Sequence, residues 1–233
     1  MTGNAQGDSL KLESRPTLPH PEFLQKPAKV SINPYLYEAI RNFESNIKTK
    51  GRIYDDSLWH NDSTNALKAA FWDMNKLKDK GSIIDIIDKN TMTARGKTVV
   101  LANISKNYNR FINLLSWLKD DTVSIDERLE KSIGKHSQYG IENGGFFFIT
   151  QIISGLFPEY FTVIEYNAIK SMLRFELIDI NLKVETVKEY LYFNKICTDL
   201  FLYFENPVKF NLSYVHNFLW HYEKDYLKNG KWL

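Results

Sequence analysis

Gly140-Ile-Glu-Asn-Gly-Gly-Phe-Phe-Phe-Ile-Thr-Gln-Ile-Ile-Ser-Gly-Leu-Phe-Pro158 is the stretch whose reading decides the fold. Gly140, Gly144 and Gly145 bracket a turn, a nearly all-apolar run from Phe146 to Phe157 follows, and Pro158 closes it. A membrane span takes about 20 apolar residues, so this run is too short to be one. Apolar on all sides, it reads as a buried central helix, which needs other helices packed around it.

The flanking sequence supplies them. Asn33 can cap a helix and Pro34 can take its first position, where a missing N–H costs nothing. Leu36, Ile40, Phe43 and Ile47 then mark one helical face, and Gly51 ends it. A polar loop with Tyr54, Trp59 and His60 leads to Ser63, the expected cap of a helix through Leu67, Phe71, Met74 and Leu77. Ile83-Ile84-Asp85-Ile86-Ile87-Asp88 repeats every three residues, a rhythm that favours helix over strand. One long helix is expected over 98–118, with Val99, Val100, Leu101, Ile104, Tyr108, Phe111, Leu114, Leu115 and Leu118 on its broad apolar side. Ser124 with Glu127 spells a capping box for a helix over 125–133 that Gly134 ends. Further helices are expected over 166–175, 184–204 and 212–227.

Only 162–164 and 177–180 look strand-like, and both are too short to build a sheet alone. The expectation is therefore an all-α body over 33–233, an irregular bundle of about eight helices. A division into two lobes, 33–95 and 96–233, is one way of parsing it, with the boundary near Asn90, Thr91, Arg95 and Gly96. Residues 1–32 hold four of the seven prolines (Pro16, Pro19, Pro21, Pro27). Proline removes backbone donors and disfavours helix, so this segment reads as a largely disordered tail that Leu18, Phe23 and Leu24 can pin to the body.

Composition narrows the function classes. The 233 residues are 43% hydrophobic and 25% charged, as in a globular protein with a real core. Thirty Lys and Arg against 28 Asp and Glu leave a formal charge of +2, which excludes a strongly basic coat for nucleic acid but permits a local patch. A single cysteine, Cys197, excludes a disulfide framework, and no signal-peptide layout opens the chain; the expected compartment is the cytoplasm.

Candidate chemistry is sparse. His216 and His221 are five residues apart, a spacing that sends them to different helix faces, whereas a helical zinc pair wants four. They read as histidines at the core edge. Cys197 reads as a small buried group, and the pairs Asp55-Asp56, Asp120-Asp121 and Glu127 with Glu130 read as solvated. No phosphate-binding loop of either glycine-rich type is present. Gly144-Gly145 opens a helix whose free N–H groups can cradle a phosphate, but a close-packed turn explains the glycines more simply. No metal or cofactor is implied. Basic residues beside aromatic or amide ones form the remaining class: Lys106, Asn107, Tyr108, Asn109 and Arg110, and the last helix with Trp220, Tyr222, Lys224, Tyr226 and Lys228. Such groups suit phosphate contact and base stacking, and equally suit a core helix with a charged outer edge.

An ordered set of motifs spans 113–223: Asn113-Leu-Leu-Ser-Trp-Leu-Lys-Asp-Asp, Ser124-Ile-Asp-Glu-Arg-Leu-Glu-Lys, the glycine turn with its apolar helix, Leu156-Phe-Pro-Glu-Tyr-Phe, Glu165-Tyr-Asn-Ala-Ile-Lys-Ser-Met-Leu, Glu189-Tyr-Leu-Tyr-Phe-Asn-Lys-Ile and Val215-His-Asn-Phe-Leu-Trp-His-Tyr. It resembles the helical module ahead of the AAA+ motor in McrB-type restriction and related phage-defence proteins. The middle of the pattern is also similar, distantly, to the helix-hairpin-helix fold of DNA glycosylases. Against that pattern, Glu142 replaces the second hairpin glycine, Glu165 stands near the catalytic aspartate's place, and no nucleophilic lysine can be named.

The resemblance implies a non-enzymatic recognition or docking module of a restriction or defence system, as a stand-alone accessory form or a shortened piece of a longer protein. Its chemistry would come from a partner protein with motor or nuclease activity, and no membrane is involved. Lys106, Arg110, Lys135, Lys170 and Arg174 are the residues expected to touch nucleic acid, and Trp220, Tyr222 and Tyr226 those expected to dock a partner. The alternatives are a protein–protein adaptor with no nucleic-acid role, which the abundance of aromatic residues favours, and a base-excising enzyme centred on Glu165.

Overall fold

The computed structural model describes residues 32–49, 51–92, 96–133, 137–178, 185–205 and 210–229. The expected tail lies outside these residues except for Ile32, as do Arg95, Gly134 and Lys135. Among the described residues every regular element is helical and none is a strand, so the all-α reading holds. Residues 162–164 run without a ladder partner because side chains take its place. Asn194 Oδ1 accepts the Thr162 N–H at 2.8 Å, Thr150 Oγ1 accepts the Ile164 N–H at 3.4 Å, and Tyr190 donates its hydroxyl to Thr162 O at 2.8 Å.

Helix α1 (Pro34–Lys48) begins as its sequence dictates: Asn33 Oδ1 accepts the Leu36 N–H at 2.8 Å, and Leu36, Ile40, Phe43 and Ile47 are buried along one face. Helix α2 (Arg52–Phe71) differs from expectation, since the polar loop before Ser63 is instead its first half and Ser63 lies buried mid-helix. The reason is visible in what α2 turns inward. Ser57, Asn61 and Thr64 are buried at helical spacing and meet amides of the C-terminal region. Asn217 Nδ2 donates to Ser57 Oγ at 2.6 Å, the Asn211 backbone N–H to Asn61 Oδ1 at 3.0 Å, and Asn211 Nδ2 to Thr64 Oγ1 at 2.7 Å. A polar inner stripe satisfied by distant partners looks like a loop when apolar periodicity is the signal.

A 3-10 turn (Lys76–Lys78) joins α2 to α3 (Lys80–Asn90), whose first turn is capped by Asp79. The isoleucine run is therefore helical, with Ile83 and Ile87 fully buried. The long helix expected over 98–118 is broken at Asn107 into α4 (Lys97–Lys106) and α5 (Tyr108–Lys119). Asn107 ends the first and caps the second, its side chain accepting the Arg110 N–H at 3.3 Å. An asparagine that bonds the backbone two or three residues on is a local competitor of helix continuation.

Helix α6 (Ile125–Glu130) is shorter than expected. Ser124 caps it, while the Glu127 carboxylate turns to Lys131 at 2.6 Å rather than back to the cap. Asn143 adopts φ 62° in the turn before α7 (Phe146–Leu156), which is the buried central helix its sequence announces. It crosses α2 where Gly155 lies on Leu67; a Cβ on Gly155 would sit 2.8 Å from Leu67 Cβ, so only glycine permits that approach. Helices α8 (Tyr166–Arg174) and α9 (Val187–Phe201) follow, the latter opened by a full Thr186/Glu189 capping box. Helix α10 (Ser213–His221) passes into a π-helical turn (Tyr222–Tyr226) and a last short α11 (Leu227–Asn229). α10 lies between α2, α8 and α9, and its residues from Ser213 to Leu219 are all buried. No helix among the described residues is long and apolar enough to cross a membrane.

Candidate functional site

Three places concentrate chemistry. The first is the polar seam between α2 and α10. His216 and His221 are not at the core edge but fully enclosed, and both reach α2 because α10 is surrounded on all sides. The His216 ring meets His60 edge-on with centroids 5.5 Å apart. His221 Nδ1 bonds Asp225 Oδ2 on the π-helical turn, and its Nε2 lies 3.2 Å from Asp56 Oδ2. That second contact has the distance of an ion pair without the alignment of a hydrogen bond. Asp56, expected on a solvated face, is thus the outer member of a buried polar row. Burial lowers His60 to about 4 and His216 to about 3, helped by mutual repulsion among the histidines. Burial also lowers His221, opposed by Asp225 and Asp56. Among the described residues no His, Cys, Asp and Glu cluster can hold a metal ion. Cys197 is buried, with its thiol pushed well up by desolvation, and is inert as a nucleophile.

The second is the face formed by α8 and the C-terminal helix, which brings together Glu165, Lys170, Arg174, Trp220 and Tyr226. Glu165 caps α8, its Oε2 accepting the Asn167 N–H at 2.7 Å, and burial raises its carboxyl. Arg174 Nε donates to Glu223 Oε2 at 2.7 Å, and Lys170 Nζ stands 3.9 Å from the other carboxylate oxygen. Lys170 also sits over the ring of Tyr166, 66% exposed, and Lys224 over that of Trp220 at 4.0 Å. Tyr222 is not a surface ring: it is fully buried, 4.3 Å from Phe175 and stacked on Tyr226, with its hydroxyl against that of Tyr35. Helices α1 and α8 close over it, which removes it from the expected docking set.

The third is a ridge of four lysines, of which Lys106 alone was expected to touch nucleic acid. Lys76 and Lys78 on the 3-10 turn, Lys80 at the start of α3 and Lys106 at the end of α4 are all exposed. Two hydrogen bonds hold these segments side by side: Lys80 Nζ donates to Ser105 O at 3.4 Å, and Tyr108 Oη donates to Leu77 O at 2.9 Å. None of the four lysines is in an ion pair with another described residue. The nearby carboxylates are turned to backbone: Asp73 accepts the N–H groups of Asn75 and Lys76, and Asp79 that of Ser82. Lys76, Lys78 and Lys80 carry a sequence signal, alternate lysines within five residues, but nothing in the sequence joins them to Lys106.

Arg110, next to this ridge in sequence, does other work. Its Nε donates to Gly140 O at 2.6 Å and its Nη2 to Ser137 O at 3.0 Å, which pins the loop before α7. Of the five cations expected to meet nucleic acid, Lys106 joins the ridge, Lys170 and Arg174 face Glu223, Arg110 holds a loop, and Lys135 lies outside the described residues. Among the described residues the fold is all-helical, and the ridge sets four exposed lysines outside ion pairs on adjoining segments. No protein-family model, curated protein or solved structure matches the chain.

Proposed function

We propose that this chain is a non-enzymatic recognition and docking module that contacts nucleic acid through the ridge of Lys76, Lys78, Lys80 and Lys106. The observation that carries the reading is that these four lysines, which adjoining elements hold together, form no ion pair among the described residues. Lysines without carboxylate partners can release the counterions of a phosphate chain, whereas paired ones exchange one partner for another. The face bearing Tyr166, Trp220 and Tyr226 is the docking surface for a partner protein that supplies motor or nuclease chemistry. A restriction or phage-defence setting rests on the sequence resemblance over 113–223.

Fluorescence anisotropy with labelled DNA tests the reading. Four phosphate contacts imply that affinity falls about 100-fold between about 50 and about 200 mM salt. Salt-independent binding, or no binding at micromolar protein, overturns it.

A further inference from the structure

We infer that the ridge grips the two phosphate rows of a double helix and not a single strand, a conclusion that rests on the function proposed above. Single-strand binders add affinity by stacking bases on exposed rings, and the two aromatic residues nearest the ridge in sequence already have other partners, although Trp72 is 37% exposed. Tyr108 is half-buried, its hydroxyl tied to Leu77 O and its ring against Phe111 at 6.2 Å. Trp72, the next aromatic residue in sequence, has its Nε1–H donated to Leu156 O at 3.0 Å and the Lys119 ammonium over its ring at 4.9 Å.

What the ridge offers is charge in two adjoining segments, Lys76–Lys78 with Lys80 on one side and Lys106 on the other, cross-tied at Lys80–Ser105 and Tyr108–Leu77. A duplex presents two phosphate rows and one charge per about 1.7 Å of axis, so the same lysines release more counterions from it than from a single strand. Exposed Asn107 and Asn109 add amide groups beside the lysines. Nothing in this set requires bases to be splayed out.

The test compares four probes at equal phosphate concentration with the full chain: a DNA duplex, an RNA duplex, an unstructured single strand and phosphatidylserine vesicles. Either duplex should bind at least about tenfold tighter than the single strand, with a log–log salt slope near −3.6 against about −2.8 for four contacts. Lys80→Gln and Lys106→Gln should each reduce the duplex slope by about 0.9, while Lys170→Gln leaves it unchanged. Circular dichroism on each variant confirms that the fold is retained. Single-strand binding equal to or tighter than duplex binding overturns this inference and leaves the proposed function standing. Preference for vesicles over every nucleic acid, or no binding to any probe, overturns both.

Discussion

The lysine ridge and the α8 face carry similar residues in opposite electrostatic states. On α8, Lys170 and Arg174 share the Glu223 carboxylate, and Lys170 and Lys224 lie over aromatic rings. On the ridge, Lys76, Lys78, Lys80 and Lys106 face solvent while Asp73 and Asp79 bond backbone N–H groups. The difference teaches that a count of cations does not say which of them are paired: Glu223 reaches Lys170 and Arg174 directly, whereas Asp73 and Asp79 keep their charge near the ridge but accept backbone N–H groups. The two regions also rest on different foundations. The α8 face lies over α10 and its polar histidine seam, whereas the ridge is held by Ile83, Ile87 and Ile104 in the apolar core.

That contrast can be broken first by acid. His60 and His216 fall from the ordinary 6.5 to about 4 and about 3 in the folded protein. The unfolded chain therefore takes up protons first as pH drops, and stability present above pH 6.5 is lost on the way down to about 4 for His60 and about 3 for His216. His60 alone contributes on the order of 3 kcal/mol to that loss. Hydrogen exchange followed between pH 7 and pH 4 should show α10 opening ahead of α3 and α4; simultaneous opening would remove the distinction. Next in size is charge reversal. Lys76→Glu, Lys80→Glu and Lys106→Glu combined should weaken DNA binding at least about 100-fold, whereas Lys170→Glu with Arg174→Glu should change it less than about threefold. Equal losses from the two sets would sink the assignment of the ridge.

A smaller effect tests the seam itself. Ser57→Ala leaves the buried Asn217 amide without its acceptor and should cost about 1–2 kcal/mol in urea denaturation, with DNA binding unaltered. The smallest is Glu223→Gln. It loosens the hold on Lys170 and Arg174; with Glu223 buried but both partners exposed, stability should fall by about 1 kcal/mol, while a weak second mode of DNA binding appears. No gain in binding would show that ion pairing is not what silences the α8 face.

Much of the fold was legible in the sequence. The capping pair Asn33-Pro34, the isoleucine rhythm at 83–87 and the run from Phe146 each encode a helix through local chemistry, and each is one. Where the reading failed, distant groups had changed the meaning of a residue. α2 looks like a loop until Asn211 and Asn217 are placed against its serine, asparagine and threonine. Asn107 looks like one more position in a long helix until its side chain turns to cap the next. For the candidate site, Lys106 is exposed beside its amide and aromatic neighbours as the sequence suggests, whereas Arg110 is held by the carbonyls of Gly140 and Ser137 and Tyr222 is buried. Arginine beside asparagine carries no mark of the carbonyls it will hold, and tyrosine in an amphipathic helix carries none of the helices that will cover it.

By itself the amino-acid sequence determined that the described chain is helical and that the helix from Phe146 is buried from Phe148 on, because caps and apolar spacing act within one or two turns. Tertiary structure decided which charges meet in ion pairs and which do not. Lys80 and Ser105 are 25 residues apart and Leu77 and Tyr108 are 31 apart, so the ridge exists only once the chain has brought them together. Neutralisation of a charge depends on distance through space, and no local pattern records that distance.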